Sequence, residues 1–321
     1  MTRAFLIGAG ATRAQYPAAP LSTDFMAKLK TMEEPLFTHI KKTIDAHIGP
    51  NEIENLDLEI LMKMSYTFPL SVKDDLIESL HLAIYKLLRE TTGIGGGGIS
   101  HSINNRKNEP PTRFKRLLTD NRLNSKDFFM TLNYDLDLDC EIIRMQNSID
   151  YGIPTNMISN REGGINPNNN QEFSLYHLHG SLNWYRINDS SIVLTNSPFT
   201  PEVKRSGSNV CIVPPGRKEL NHVLKSVWES SLSRLIKADE LIIIGCSLNP
   251  QDSELINLIK SFVKKNGTNK VKIIYVGNDS KSKSNYEEVL GGGFVTYPYG
   301  FNISGPKGQK GAIEFIFESK N

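Results

Sequence analysis

Short apolar runs alternate with helix-like apolar spacing along much of the chain. Residues 4–8 (Ala-Phe-Leu-Ile-Gly) predict a buried strand that runs directly into a glycine turn. Later strands are predicted at residues 128–132, 175–178, 210–213, 241–244 and 271–276, and later helices at about 220–236 and 253–263. Because strands that alternate with helices form parallel sheets, we expect an α/β fold: a Rossmann-like parallel sheet with helices on both faces.

The segment that follows the first strand has a different pattern. From about Thr23 to Leu118, apolar residues recur at helical spacing and strand-like alternation is almost absent. We therefore expect an all-helical insertion at residues 33–127, with the Rossmann-like domain built from residues 1–32 and 128–321. Surface loops or hairpins are expected over residues 95–98, 160–171 and 190–208.

Composition narrows the class of protein. The 321 residues include 37 Lys and Arg against 35 Asp and Glu, so no strong field favours nucleic acid or an anionic membrane. No apolar stretch approaches the roughly 18 residues of a membrane helix, and the amino-terminal apolar run is too short for a secretion signal. Cys140, Cys211 and Cys246 are too widely spaced for a disulfide framework or a paired zinc motif. We expect a cytoplasmic protein without bound metal, membrane contact or direct contact with nucleic acid.

The first strand leads into a small glycine loop, Gly8-Ala9-Gly10-Ala11-Thr12. Glycines at this position let a backbone approach the pyrophosphate of a dinucleotide, or serve only to form a tight turn. The third position of the fingerprint G-x-G-x-x-G is Arg13, and no second strand ending in an acid follows about 20 residues later. The sequence therefore disfavours a nicotinamide-dependent oxidoreductase.

Polar or small residues also follow the other predicted strands, at the carboxyl ends where open α/β sheets bind ligands. Asn133 and Asp135 follow one strand, although by themselves they fit a helix cap and a turn. His177 and His179 end the next, and the two-residue period of a strand predicts that they point to the same side. Such a pair can bind metal, but no matching cysteine or acidic cluster completes a site. Small residues at 245–247 leave room for a ribose or phosphate.

The order of these elements resembles that of the sirtuin (silent information regulator) family. The shared features are the glycine loop, T-L-N-Y-D at 131–135, H-G at 179–180, A-D-E-L-I-I-I-G-C-S-L at 238–248 and a last strand that ends in asparagine. The resemblance covers the sheet and implies that NAD is bound as a substrate. It assigns NAD contacts to Gly8, Ala9, Gly10, Thr12, Asp24, Gly245, Ser247 and Asn278. Asp24 lies in a segment similar to the family's P-D-F-R, with Met26 where deacetylases have arginine.

The same resemblance implies three catalytic residues around the nicotinamide ribose. Asp135 would hold the carboxamide, Asn133 would position the ribose or the attacking water, and His179 would act as a base toward a ribose hydroxyl. These roles fit a reaction that cleaves the nicotinamide–ribose bond and develops positive charge on the ribose.

One departure from the family changes the expected activity. Deacetylases of the family carry a four-cysteine zinc module after the H-G motif, where this chain has only Cys211. Helices inserted early, without that module, resemble the sirtuin-like NADases of bacterial anti-phage defence. We therefore expect an NAD glycohydrolase that releases nicotinamide and ADP-ribose, with no metal, as an antiviral effector.

Two other functions remain open at this point. If an acyl-lysine or another acceptor reaches the ribose, the chain is a protein deacylase or an ADP-ribosyltransferase; if nothing does, it is a module that senses NAD or ADP-ribose. Since free NAD cleavage would harm the host cell, we also expect control by self-assembly or by a partner defence protein such as a nucleic-acid-handling ATPase.

Overall fold

The structure is a computed structural model that describes most of the chain. Its description leaves out residues 51–52, 93–111, 146, 162–171, 189, 196–208, 213–221, 251, 276–279, 303–304, 306–308 and 319–321. The loop expected at 95–98 lies outside the described residues, as do most of the loop expected at 160–171 and of the hairpin expected at 190–208.

A seven-stranded parallel sheet forms the centre of the molecule. Its strands are β1 (Arg3–Ile7), β2 (Phe128–Thr131), β3 (Ser148–Asp150), β5 (Glu172–His177), β9 (Glu240–Ile244), β10 (Val271–Ile274) and β11 (Val295–Tyr297). They lie in the order β11-β10-β9-β1-β2-β5-β3. Every residue of β1, β2, β9 and β10 is buried, which is why their sequences are continuous apolar runs rather than alternating ones. The expected Rossmann-like sheet is confirmed.

Helices flank this sheet and also fill the interval between β1 and β2. Those up to residue 118 are α1 (Ala9–Gln15), α2 (Phe25–Met32), α3 (Glu34–Ile48), α4 (Leu58–Ser65), α5 (Leu70–Thr92) and α6 (Arg113–Leu118). Later ones are α7 (Asp137–Arg144), α8 (His222–Leu235), α9 (Ser253–Asn266), α10 (Ser280–Leu290) and α11 (Ala312–Phe317). Short 3₁₀ turns occupy Ser22–Asp24, Ile53–Asn55, Thr155–Met157 and Thr268–Lys270. Among the described residues none of the helices is long and apolar enough to cross a bilayer.

Helices α2 to α5 pack into a second apolar core, separate from the one around the sheet. In α5 the buried positions Leu76, Leu80, Ala83, Ile84 and Leu87 recur at helical spacing, so one face of the helix points into this core. The sequence predicts helices after the first strand, in an insertion at residues 33–127. The second core begins earlier, at Phe25, and Phe114, Leu117 and Leu118 pack instead in the core of the large sheet. We use the name helical region for α2 to α5.

A second, four-stranded sheet follows β5 in the chain. It contains β4 (Ile158–Arg161), β6 (Gly180–Asn188), β7 (Ser191–Leu194) and β8 (Asn209–Ile212) in the order β4-β7-β6-β8. The strand predicted at 210–213 belongs here, antiparallel to β6, and the expectation that it joins the parallel sheet is wrong. Trp184 packs in the core around the large sheet while Leu182 and Tyr185 pack in that of the helical region, so β6 joins the two cores.

The register of the central strands aligns their carboxyl ends. Ile7 of β1 is paired with Thr131 of β2 and with Ile244 of β9, and Thr131 is paired with His177 of β5. The residues that immediately follow these strands therefore meet at one edge of the sheet, where parallel α/β folds bind ligands.

Candidate active site

A cavity of about 620 Å³ opens at this edge, between the large sheet and the helical region. Such a volume is typical of pockets that hold a small molecule or cofactor. The sheet side contributes Gly8, Ala9, Gly10, Thr12, Asn133, Asp135, His179, Gly245 and Ser247. The side formed by the helical region and its 3₁₀ turns contributes Ser22, Phe25, Leu56, Asp57, Glu59, Ile84 and Leu88. The helical region is therefore a wall of the site.

Asn133 and Asp135 are joined through the hydroxyl of Thr12. Thr12 Oγ1 donates to Asp135 Oδ2 over 2.8 Å and accepts a hydrogen bond from Asn133 Nδ2 at 3.0 Å. The Asn133 amide also donates to the Gly8 carbonyl at 3.2 Å. Because both protons of the amide are used in this way, its oxygen Oδ1 is the group left for a ligand. Oδ1 is buried and has no hydrogen-bond partner among the residues that the structure describes, which is a costly state unless something else binds there.

Asp135 is held in the same way on its other side. Its Oδ1 accepts a hydrogen bond of 3.1 Å from the Asp137 N–H, at the start of α7. Burial raises the pKa of Asp135, while the hydrogen bonds from Asp137 and Thr12 oppose that shift. The carboxyl is fixed in position before any ligand arrives.

The two histidines of the H-x-H sequence have different surroundings. β5 ends at His177, and Leu178 and His179 form a turn, so the strand period does not extend to His179 and the expected shared side is not found. His177 is buried, and its Nε2 lies 3.1 Å from Asp139 Oδ2. Its Nδ1 lies 3.4 Å from the Asn133 carbonyl oxygen, so it supports the backbone of Asn133 from behind the cavity.

His179 lines the cavity. Its Nε2 lies 3.3 Å from Asp252 Oδ2, within ion-pair distance. Burial alone would lower the pKa of His179, but the carboxylates of Asp252, Glu59 and Glu254 together raise it. A histidine whose pKa is raised in this way is a stronger base once it has lost its proton.

The glycine loop is shaped first by its contact with β9. Gly8 N–H donates to the Ile244 carbonyl and Gly10 N–H to the Gly245 carbonyl, both over 2.9 Å. A Cβ on Gly8 would lie 2.5 Å from the Gly245 oxygen, and a Cβ on Gly245, whose φ is +64°, would lie 2.2 Å from Ala11 N. These glycines are thus required by the packing of two loops as well as by any ligand.

The other residues expected to contact NAD differ in their positions relative to the cavity. Ser247 is exposed on the cavity wall. Asp24 does not line the cavity, since its carboxylate binds the Arg13 guanidinium and accepts from the Leu21 N–H at 2.6 Å. Asn278 lies outside the described residues.

Two acidic residues of the site went unnoticed in the sequence. Asp252 precedes the predicted helix at 253–263 and looks like an ordinary N-cap, a role it does fill through Leu255 N–H at 3.0 Å. Glu59 lies in a helix of the inserted region, far in sequence from every strand end. No local pattern distinguishes either of them, and only the tertiary fold brings them to His179.

Across the described residues, no group of three or more His, Cys, Asp and Glu side chains is arranged to hold a metal ion. Cys140 and Cys246 are both buried.

A cavity at the carboxyl edge of a parallel sheet, with the polar side chains of Asn133, Asp135 and His179 in its wall, is typical of the ligand-binding sites of Rossmann-like proteins. The SIR2-like domain family matches residues 127–292, just over half of the chain, and the chain belongs to that family. A solved Sir2 homologue in complex with NAD is 14% identical, with a TM-score of 0.48, over 92% of this chain and 83% of that chain. Sir2 bound to an acetylated peptide is 12% identical, with a TM-score of 0.40, over 92% of this chain and 87% of that chain. No curated protein matches the chain.

Proposed function

We propose that this protein is an NAD glycohydrolase that cleaves NAD to nicotinamide and ADP-ribose. The observation that carries the proposal is the fixed Asn133 amide, whose oxygen is buried at the cavity edge without a hydrogen-bond partner in the described part of the chain. Membership of the SIR2-like family supports NAD as the substrate. The roles of Asn133, Asp135 and His179 come from the sirtuin resemblance, and their shared position in one cavity supports them.

Hydrolysis of the nicotinamide–ribose bond requires few protein side chains. Water forms a new C–O bond to the anomeric carbon of the ribose, the C–N bond to nicotinamide breaks, and the released proton passes to a base or to solvent. Positive charge develops on the ribose in the transition state, so nearby oxygens that are already oriented lower its free energy. Asn133 Oδ1 is such an oxygen, since Gly8 and Thr12 hold its amide group in one orientation.

Asp135 and His179 complete the proposed machinery. Asp135 is held by Thr12 and by the Asp137 N–H and would receive the nicotinamide carboxamide. Burial raises the pKa of Asp135, and the hydrogen bonds from Asp137 and Thr12 oppose that shift by favouring the charged carboxylate. His179 in its neutral form would take a proton from a ribose hydroxyl or from water.

Product identification tests this proposal directly. The purified chain is incubated with NAD, and the products are separated and identified by mass spectrometry, with the Asn133→Ala variant as a control for contaminating enzymes. Equal amounts of nicotinamide and ADP-ribose support the proposal. Transfer of ADP-ribose to protein, loss of acyl groups from an acyl-lysine peptide, or bound NAD that stays intact would instead indicate one of the other functions.

We also propose that the activity serves antiviral defence in the cytoplasm and is controlled by assembly. An enzyme that consumes NAD harms its own cell unless it is restrained, so self-association or a partner that handles nucleic acid would supply the signal. The helical region is the part of the chain suited to receive it, because it forms one wall of the cavity and packs in a core of its own.

A further inference from the structure

The two carboxylate oxygens of Asp252 make different contacts. Oδ1 caps α9 by accepting the Leu255 N–H at 3.0 Å, and Oδ2 lies 3.3 Å from His179 Nε2. The side chains of Asp252 and His179 are only 3% and 7% exposed, so water screens this pair little. One carboxylate thus ties the position of His179 to the end of a helix.

The segment that carries Asp252 is itself fastened to the helical region. Asn249 Nδ2 donates to Glu59 Oε2 on α4 over 2.6 Å. Within this segment, Leu248 has a left-handed backbone with φ +51°, which costs a non-glycine residue free energy, and its side chain is fully buried. A segment with such a backbone holds its shape only while its contacts on both sides persist.

We propose that Asp252 and Glu59 are positioning residues for His179, with Asp252 orienting its imidazole and Glu59 anchoring the Asp252 segment to the helical region. The inference rests on the proposed function, because His179 is the base of the proposed reaction. The protonation of His179 can, however, be measured without any cleavage of NAD.

The charged and titratable groups that face His179 come from three places. Asp252 and Glu254 belong to the start of α9, Glu59 and Asp57 to the start of α4, and Tyr134 to the segment after β2. Tyr134 stays neutral, because burial and then the nearby carboxylates raise its pKa well above its usual value. The carboxylates of Asp252 and Glu59 are therefore the main partners that stabilise a protonated imidazole.

Isosteric amides separate charge from structure at both positions. Asp252→Asn keeps an N-cap oxygen for the Leu255 N–H but removes the charge beside His179, since asparagine caps helices about as well as aspartate. Glu59→Gln keeps an oxygen that can accept from Asn249, whereas Glu59→Ala removes the link. Glu254→Gln is the matched control, because it removes a charge from the same helix end without touching His179 or lining the cavity.

The test is an NMR titration of the His179 ring in the full chain, assigned with His179→Gln. We expect the His179 pKa to lie above 6.5 in the wild type, to fall in Asp252→Asn, and to fall less in Glu254→Gln. Hydrogen exchange of the amides at residues 246–249 is expected to speed up in Glu59→Ala and to stay close to wild type in Glu59→Gln. Circular dichroism checks that each variant is folded.

The pH profile of NAD cleavage adds a readout that a purely structural role would not move. Because the base must be neutral, the acidic limb should move to lower pH in Asp252→Asn, with kcat about tenfold lower and KM little changed. A His179 titration identical in the wild type and Asp252→Asn overturns the inference, even if NAD is cleaved. The converse result, a shifted titration in a chain that cleaves no NAD, would leave the inference intact and remove the proposed function.

Discussion

The hydroxyl of Thr12 donates to Asp135 across 123 positions of sequence. The whole helical region lies between these two residues, so a hydrogen bond of 2.8 Å joins the parts of the chain on either side of it. Thr12 hydrogen-bonds to both Asn133 and Asp135 and so links the positions of their side chains.

Thr12→Val should therefore separate the two residues at almost constant volume. We expect a loss of about 1–3 kcal/mol in the free energy of unfolding, because Asn133 and Asp135 each lose a buried partner. We also expect NAD cleavage to fall on the order of 10²-fold, since small misplacements of catalytic groups have effects of that size. Thr12→Ser keeps the hydroxyl and is the control; equal rates in the two variants would show that the link has no role.

Removal of the catalytic side chains gives the most direct test of the site. Asn133→Ala and His179→Ala are each expected to lower NAD cleavage on the order of 10²–10⁴-fold without unfolding the chain. The exposed residues Asn257 and His39 provide matched controls, whose alanine variants should cleave NAD at the wild-type rate. Folded Asn133 and His179 variants with wild-type rates would contradict the assignment.

The close contact between the two loops at Gly8 and Gly245 should make the fold intolerant of a side chain at Gly245. Gly245→Ala combines a left-handed backbone with a Cβ 2.2 Å from Ala11 N, so we expect destabilisation of at least about 3 kcal/mol, or no folded protein. Gly49 provides the control, because it has φ +84° and nothing within 4 Å of a new Cβ. Gly49→Ala should cost only about 1–2 kcal/mol in thermal or urea unfolding. Similar losses at both positions would mean that backbone strain alone, and not the loop contact, is responsible.

His81 should make the helical region sensitive to acid. Burial lowers the pKa of His81 from 6.5 to about 4, and within the described ranges its Nε2 has no hydrogen-bond partner. Below pH 6.5 His81 is protonated in the unfolded chain, whereas in the folded chain it stays neutral down to about pH 4. The free energy of unfolding therefore falls as the pH is lowered from 6.5 to 4. The full effect is on the order of 3 kcal/mol.

The comparison with His81→Leu isolates this contribution from other groups that titrate over the same range. The wild type should lose stability relative to the variant between pH 6.5 and 4 in urea unfolding experiments, and the difference should stay constant above that range. Parallel stability curves over the whole range would show that His81 is not held in its neutral form.

Sequence patterns predicted the large sheet and most of its strands, because continuous apolar runs indicate strands buried on both faces. They also predicted helices after the first strand and ligand-facing polar or small residues at the carboxyl ends of the strands. They could not show which sheet the strand at 209–212 joins, since an apolar run carries no information about its partner. Asp24 was expected to contact NAD, whereas in the structure its carboxylate binds the Arg13 guanidinium. That contact depends on tertiary geometry, which the local sequence does not show. The same holds for Glu59 and Asp252, which reach His179 through the fold alone.

Control by assembly predicts a rate that depends on protein concentration. We expect the specific rate of NAD cleavage to be low in dilute, monomeric protein and to rise as the chain self-associates or meets its partner. A contact that shifts the helical region would change the cavity wall that carries Glu59. Measuring rate and size in parallel decides the matter: a high specific rate that stays flat across a monomeric range would end this idea.

The position of β1 at the centre of the sheet also has a consequence for biosynthesis. This strand is synthesised before both of its neighbours, which are residues 128–131 on one side and 240–244 on the other, and Asp252 comes later still. A nascent chain can bury β1 between these neighbours only after residue 244 has been translated, and the cavity is complete only once Asn285 has followed. Translation that stops before residue 244 would therefore give fragments without the cavity that the proposed reaction needs.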